Sequence, residues 1–374
     1  MEAPYRSLFL RPPVVLALLL IALSTSAFAQ DSEQQYRQMN LVSNQAGQAT
    51  YQDTDLVNGW GLARSSTGPW WNTNQGTGVA TVYSGSGMTA APPVTIPSGD
   101  PSVNPLGTPT GIVYNGSSSD FLLESGKPAQ FLFATEDGTI SGWNPAVLPT
   151  AAVIKVNQAG KSVFTGLAVA QVTKGGASAT YLYVTDFEQG RVEVFDTNFN
   201  PVPVPWEGFR DYSIPEGLVP YNIWNIGGNL YVTYGQQAPN KRDQITGPGL
   251  GYVDVFSPSG RLLQRLEHGP WFNAPYGIAL APGDFGLFSH DVLVGQYGSG
   301  EILAFDPVTG KYKGKLLDTS NHPITIDALS ALSFGNDGPA GAATALYFNA
   351  GPNGELNGLF GCLTPVQNTE GNDD

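Results

Sequence analysis

One short motif recurs six times along the chain, and no other feature restricts its fold as strongly. It reads "WGLA", "TGIV", "TGLA", "YNIW", "YGIA" and "SALS", with its second residue at Gly61, Gly111, Gly166, Asn222, Gly277 and Ala331. The intervals are 50, 55, 56, 55 and 54 residues. Self-similarity at such a period marks an architecture built from one repeated unit. Each copy is followed by a second apolar strand, a polar turn and a third strand ending in an aromatic residue, as in "YLYVTDFEQGRVEVFD" (181–196) and "VLVGQYGSGEILAFDP" (292–307). A sheet of about four strands per repeat of roughly 50 residues is the arithmetic of a β-propeller blade. Six repeats therefore predict an all-β, six-bladed propeller. The 46 Gly and 29 Pro, spaced between β-branched and aromatic runs, supply its turns.

The run "YRQMNLVS" (36–43) precedes the first motif and has no blade of its own, while the last repeat runs out soon after Cys362. The N-terminal strand is therefore expected to complete the last blade, closing the ring and covering an open sheet edge. This makes residues 30–365 one domain, followed by a disordered acidic tail, 366–374. Ahead of it, Arg6 and Arg11, the apolar run 14–23 and the small residues Ala27 and Ala29 read as a cleavable signal peptide, 1–29. The expectation is a secreted or periplasmic, monomeric protein without a membrane span, because the apolar run is shorter than a bilayer requires. Without the signal, 30 acidic face 15 basic residues, which argues against nucleic acid or an anionic membrane as partner. The single cysteine, Cys362, excludes an internal disulfide and reads as a small buried hydrophobe.

The pattern of "VTDFEQGRVEVFD" and "VGQYGSGEILAFDP" resembles the NHL-repeat type of propeller. Taken together, "NLVS", "NGWGLA", "FATEDGTISGWNP", "NIGGNLYVTY", "GPGLGYVDVF" and "AGPNGELNGLFG" resemble an uncharacterised family of secreted bacterial six-bladed propeller proteins. The resemblance implies the fold and export, and it brings no reaction with it.

In a propeller the start of each innermost strand and the turn after each second strand lie on one face, around the central channel. That geometry selects Trp60, Thr110, Thr165, Tyr221, Tyr276 and Ser330 from the first set, and Asn74, Glu136 with Asp137, Asp186, Tyr234, Gln296 and Asn349 with Ala350 from the second. Asp137 precedes Gly138 in a strong hairpin signal, so it doubles as a turn former. Turn geometry does not demand Glu136. Glu136, Asp186 and Asp327 could together hold a hard cation such as Ca²⁺ through oxygen ligands, or one of them could act as a general base. The fourth repeat inserts a long polar loop, "GQQAPNKRDQITGPGL", where Lys241 and Arg242 put positive charge on the same face. Trp60, Tyr221 and Tyr276 could stack on a ligand or pack between blades.

The usual catalytic signatures are missing. There is no G-x-S-x-G elbow, no H-E-x-x-H, no phosphate or dinucleotide loop, and His268, His290 and His322 stand in separate turns. The run "DTNFNP" (196–201) begins like a Ca²⁺ loop but has Pro201 where glycine is required. Six-bladed lactonases of the gluconolactonase type resemble the expected shape, yet here "VNGWGL" offers Asn58 where that pattern has its first carboxylate. The reading is a propeller that binds a small or peptide-like ligand at the channel mouth without catalysis. The alternatives are a metal-dependent hydrolase on the same face and a protein-interaction scaffold.

Overall fold

The computed structural model describes residues 35–204 and 208–366, besides Met1. The expected signal peptide and the tail beyond Val366 lie outside the described residues. Six sheets stand in a ring, one for each repeat. From axis to rim, the first blade holds strands Gly59–Ala63, Trp70–Asn74, Val79–Tyr83 and Thr89–Thr95. The second holds Pro109–Tyr114, Phe131–Thr135, Thr139–Trp143 and Val153–Asn157, and the fifth holds Pro275–Leu280, Val292–Gln296, Ile302–Phe305 and Tyr312–Lys315. The third blade departs from the four-strand expectation: among the described residues it holds Phe164–Lys174, Ala177–Asp186 and Arg191–Phe195. In the fourth, Leu218–Ile226, Asn229–Gln237, Tyr252–Phe256 and Leu262–Arg265 are joined by the short strand Gln244–Ile245.

Closure follows the sequence reading. The sixth blade takes Leu329–Phe334, Leu346–Ala350 and Leu359–Pro365 from the last repeat, and Tyr36–Ser43 pairs antiparallel with Leu359–Pro365, from Tyr36 opposite Pro365 to Ser43 opposite Leu359. The two-residue strand Tyr51–Gln52 adds a parallel rim to it. This clasp joins the two ends of the domain through backbone hydrogen bonds, and the Tyr36 hydroxyl also donates to Phe285 O of the fifth blade at 2.9 Å. Cys362 is buried in the clasp, and burial pushes its thiol up to about 11, as suits a packing residue.

The core is divided among the seams between blades. Each seam carries its own apolar cluster, such as Trp71 with Phe131 and Phe133 between the first and second blades, or Leu293 with Leu332 and Phe348 between the fifth and sixth. Burying each such side chain contributes about 1.5–3 kcal/mol. At the axis the sheets meet too closely for side chains at the motif position. A Cβ on Gly61 would lie 2.4 Å from Thr110 O, and one on Gly277 would lie 2.4 Å from Ser330 O. The fourth repeat's Asn222 bridges instead, donating from Nδ2 to Tyr276 O at 3.0 Å. Hydroxyls tie the ring together: Thr73 Oγ1 donates to Thr110 O at 2.5 Å, Thr110 Oγ1 to Phe164 O at 2.7 Å and Ser330 Oγ to Gly59 O at 2.8 Å.

Candidate functional site

The inner strands begin on one face of the ring, here called the upper face, and all six residues in the first set are buried there. Thr110, Thr165 and Ser330 serve the ring itself through their hydroxyls. The three aromatics fill the axis: Trp60 meets Tyr276 edge-on with centroids 5.7 Å apart, and Tyr276 meets Tyr221 edge-on at 5.1 Å. This edge-to-face arrangement is the one aromatic quadrupoles favour. The Tyr276 hydroxyl donates across the axis to Thr165 O. Tyr221 packs on Phe187 as well, and its buried hydroxyl has no hydrogen-bond partner. Burial raises the pKa of Tyr221, and the charges of Glu355 and Glu136 above it act in the same direction. The channel is therefore floored, with one unpartnered hydroxyl on the side of those carboxylates.

Above the floor lies a polar cup. Glu136, half-buried, accepts a hydrogen bond at Oε2 from Gln75 Nε2 at 2.7 Å, and Gln75 Oε1 accepts one from Asn58 Nδ2 at 3.2 Å. Burial pushes Glu136 up to about 7, with the nearby Glu355 adding to the shift and Gln75 opposing it. Tyr297 donates its hydroxyl to Glu355 Oε1. The insertion in the fourth blade crosses this cup. It extends the hairpin, with Gln236 opposite Ile245 and Gln237 opposite Gln244, and Gln237 Nε2 anchors it to Phe187 O at 2.6 Å. Arg242 then reaches the second and third blades, donating from Nη2 to Glu136 O at 2.9 Å and standing 3.6 Å from Glu188 Oε2 with Nη1. Lys241 remains exposed on the outer turn.

Several residues selected from the sequence do other work. Asp137 is a staple: its Oδ2 accepts Gly99 N at 2.7 Å and its Oδ1 accepts Thr108 N at 3.3 Å, tying the first-to-second blade connection to the turn. Asn74 is buried and donates to Thr81 Oγ1 at 3.0 Å. Gln296 accepts Asn273 N at 2.8 Å and donates to Val294 O at 3.2 Å. Asp186 is fully buried, with Oδ1 accepting the backbone N–H groups of Val163 and Gln189, and burial pushes it up to about 6. Asp327 is exposed and accepts Asn353 N at 2.8 Å.

The metal set Glu136, Asp186 and Asp327 is not assembled. Among the described residues no group of three or more His, Cys, Asp or Glu side chains could hold a metal ion. The cause is register. Asp186 pairs with Phe164 as Thr135, not Glu136, pairs with Pro109, so Glu136 stands one residue further along its repeat than Asp186 does. One residue of offset turns a side chain to the other face of a strand. The positions equivalent to Glu136 are Gln75, Phe187, Gly235, Tyr297 and Gly351, of which Gln75 and Tyr297 stand in the cup and Phe187 under it. Gln75 and Tyr297 were missed for this reason, and aligning the repeats on strand pairing would have found them; Glu188 and Glu355 lie further along their connections, where pairing gives no signal. The run at Asp196 is a self-capped turn, its Oδ1 accepting the N–H groups of Asn198 and Asn200, so the Ca²⁺-loop likeness ends there.

Sequence relatives identify the chain's family. The uncharacterized protein R648 of Acanthamoeba polyphaga mimivirus is 35% identical over 302 residues, covering 78% of this chain and 72% of R648. The chain belongs to the R648 family. The uncharacterized protein L690 of the same virus is 32% identical over 337 residues, covering 87% of this chain and 85% of L690. R640, also from that virus, is 32% identical over 267 residues, and this chain spans about half its length, 48%. No protein-family model matches the chain. Among solved structures it is similar to a streptogramin B lyase (TM-score 0.50, 14% identity, 89% of this chain and 98% of the lyase). It is also similar to the PQQ-bound aldose sugar dehydrogenase of Streptomyces coelicolor (TM-score 0.51, 13% identity, 89% of this chain and 99% of that one). At such identities these likenesses show the propeller alone, a fold that carries unrelated functions.

Proposed function

We propose that this member of the R648 family is an exported binding propeller whose upper channel mouth receives a small ligand through a cationic group, without catalysing a reaction. The observation that carries the reading is Arg242. Its guanidinium comes from another blade to lie between Glu136 O and Glu188, where a ligand cation would find the same acceptors. Beneath it, the partnerless Tyr221 hydroxyl offers a further polar contact on an aromatic floor. Carboxylates set above aromatic faces suit a guanidinium or ammonium, which gains from both. The loop that carries Arg242 would act as the resident occupant, displaced when a ligand arrives.

The test uses agmatine, which bears a guanidinium and an ammonium, titrated calorimetrically. Arg242→Ala vacates the acceptors and is expected to bind agmatine more tightly than the native protein, while Glu188→Gln with Glu136→Gln loses binding. Equal affinity in all three proteins, or no binding by Arg242→Ala, would sink the reading. Export is tested separately, by finding whether the full chain is recovered outside the producing cell with its first residues removed.

A further inference from the structure

The opposite end of the channel holds a second site of different character. The inner strands run about 3.3 Å per residue, so Ala63 and Arg64 emerge on the lower face, well away from Trp60. There a cavity of about 310 Å³ lies among the ends of the inner strands of five blades, lined among others by Leu62, Ile112, Leu167, Trp224, Ser333 and Arg64. Its walls are mainly aliphatic. Arg64 is the one lining residue with a formal charge.

Arg64 is half-buried and stacks over Trp70, its guanidinium carbon 5.4 Å from the ring centre. Nε donates to Phe334 O at 2.8 Å, Nη2 to Gly335 O at 2.9 Å and Nη1 to Ser65 O at 3.3 Å. A guanidinium has five N–H donors, so two remain. Among the described residues no carboxylate forms an ion pair with Arg64, although the chain carries 31 acidic residues. Neutral carbonyls fix the side chain in place and leave its charge uncompensated. Burial draws the Arg64 pKa below its ordinary value, the mark of a charge that has lost water without gaining an anion. A desolvated, unpaired charge is costly, and an incoming anion relieves the cost.

We infer that the lower channel mouth is a binding site for a small amphipathic carboxylate, whose apolar body fills the aliphatic cavity and whose carboxylate pairs with Arg64. Both halves of the ligand are required. A purely apolar molecule leaves the guanidinium unpaired, and a bare anion leaves the aliphatic walls hydrated.

Octanoate is the probe, with octanol and acetate as controls for its two halves, read by the melting temperature of the mature protein. At ten times its dissociation constant octanoate is expected to raise the transition by about 2 °C for a chain of this size. Octanol and acetate at the same concentration are expected to do much less. Arg64→Met is expected to weaken octanoate binding about tenfold or more, the size of a lost charge-assisted hydrogen bond. Glu136→Gln, at the other mouth, is expected to leave octanoate binding intact. If Arg64→Met fails to fold, Ser333→Phe fills the cavity without removing the arginine and should abolish the octanoate shift. The inference is overturned if octanol stabilises as well as octanoate, if either variant binds octanoate as the native protein does, or if octanoate produces no shift.

Discussion

The two ends of the channel are made by the same six strands and could hardly differ more. At the upper mouth, Glu136, Glu188 and Glu355 gather on connections, and the protein supplies its own cation, Arg242, from an extended hairpin. At the lower mouth one arginine, Arg64, sits among mainly apolar residues and is held by backbone carbonyls and the face of Trp70. The difference teaches where each kind of residue can be placed. Strand ends at the axis are crowded by the neighbouring blades and admit apolar side chains, whereas turns and insertions can carry charge into a shared space without disturbing the sheets. The upper mouth holds an ion pair of its own, Arg242 with Glu188, and among the described residues Arg64 at the lower mouth has none.

The strongest way to break the comparison is to remove the floor between the mouths. Trp60→Ala is expected to cost about 3–5 kcal/mol, the usual loss for a buried tryptophan, read from the urea midpoint. If octanoate binding at the lower mouth stays within about twofold, the two ends are independent; joint loss would make them one unit. A smaller effect sharpens the contrast in charge. The Glu136 carboxyl holds its proton in the folded state up to about 7, whereas in the unfolded chain it ionises near its ordinary value of 4.5. The folded state therefore binds more protons across that window, and this residue's contribution to stability is greatest below it and falls as the pH rises through it. Glu136→Gln should flatten that part of the stability profile, while Arg64→Met should leave it unaltered; an unchanged slope in Glu136→Gln would show the carboxyl to be hydrated. The smallest effect expected is from Ca²⁺. With Glu136, Asp186 and Asp327 each engaged apart, melting in excess Ca²⁺ and in a strong chelator should coincide, and a shift lost in the Glu136→Gln, Asp186→Asn double variant would restore the metal reading.

The architecture was largely legible in the sequence, and the reasons are visible in particular residues. Gly61, Gly111, Gly166 and Gly277 recur because adjacent inner strands approach within a few ångströms of where a Cβ would stand. The run Tyr36–Ser43 was recognisable as a clasp because a strand without a blade met a blade short of a strand. The cup was less legible. Counting along the turns placed Asp186 level with Glu136, and pairing shows them one residue apart, so one carboxyl rises into the cup while the other is buried against Val163 and Gln189. Asp137 gave no sign that it would bind Gly99 and Thr108, and Arg64 no sign that it would lack an acidic partner.

The sequence by itself determined that there would be six sheets, where each begins, and that the first strand would close the last blade, because hydrophobic period, turn residues and close-packed glycines act over a few neighbouring positions. Only the tertiary structure decided which polar groups share a site. Gln75 meets Glu136, Arg242 reaches Glu136 O, Tyr297 meets Glu355 and Arg64 reaches Phe334 O across separations of 61, 106, 58 and 270 residues. Such meetings depend on the closed ring and on the register within each blade, quantities that local pattern leaves free and that packing across the seams then sets.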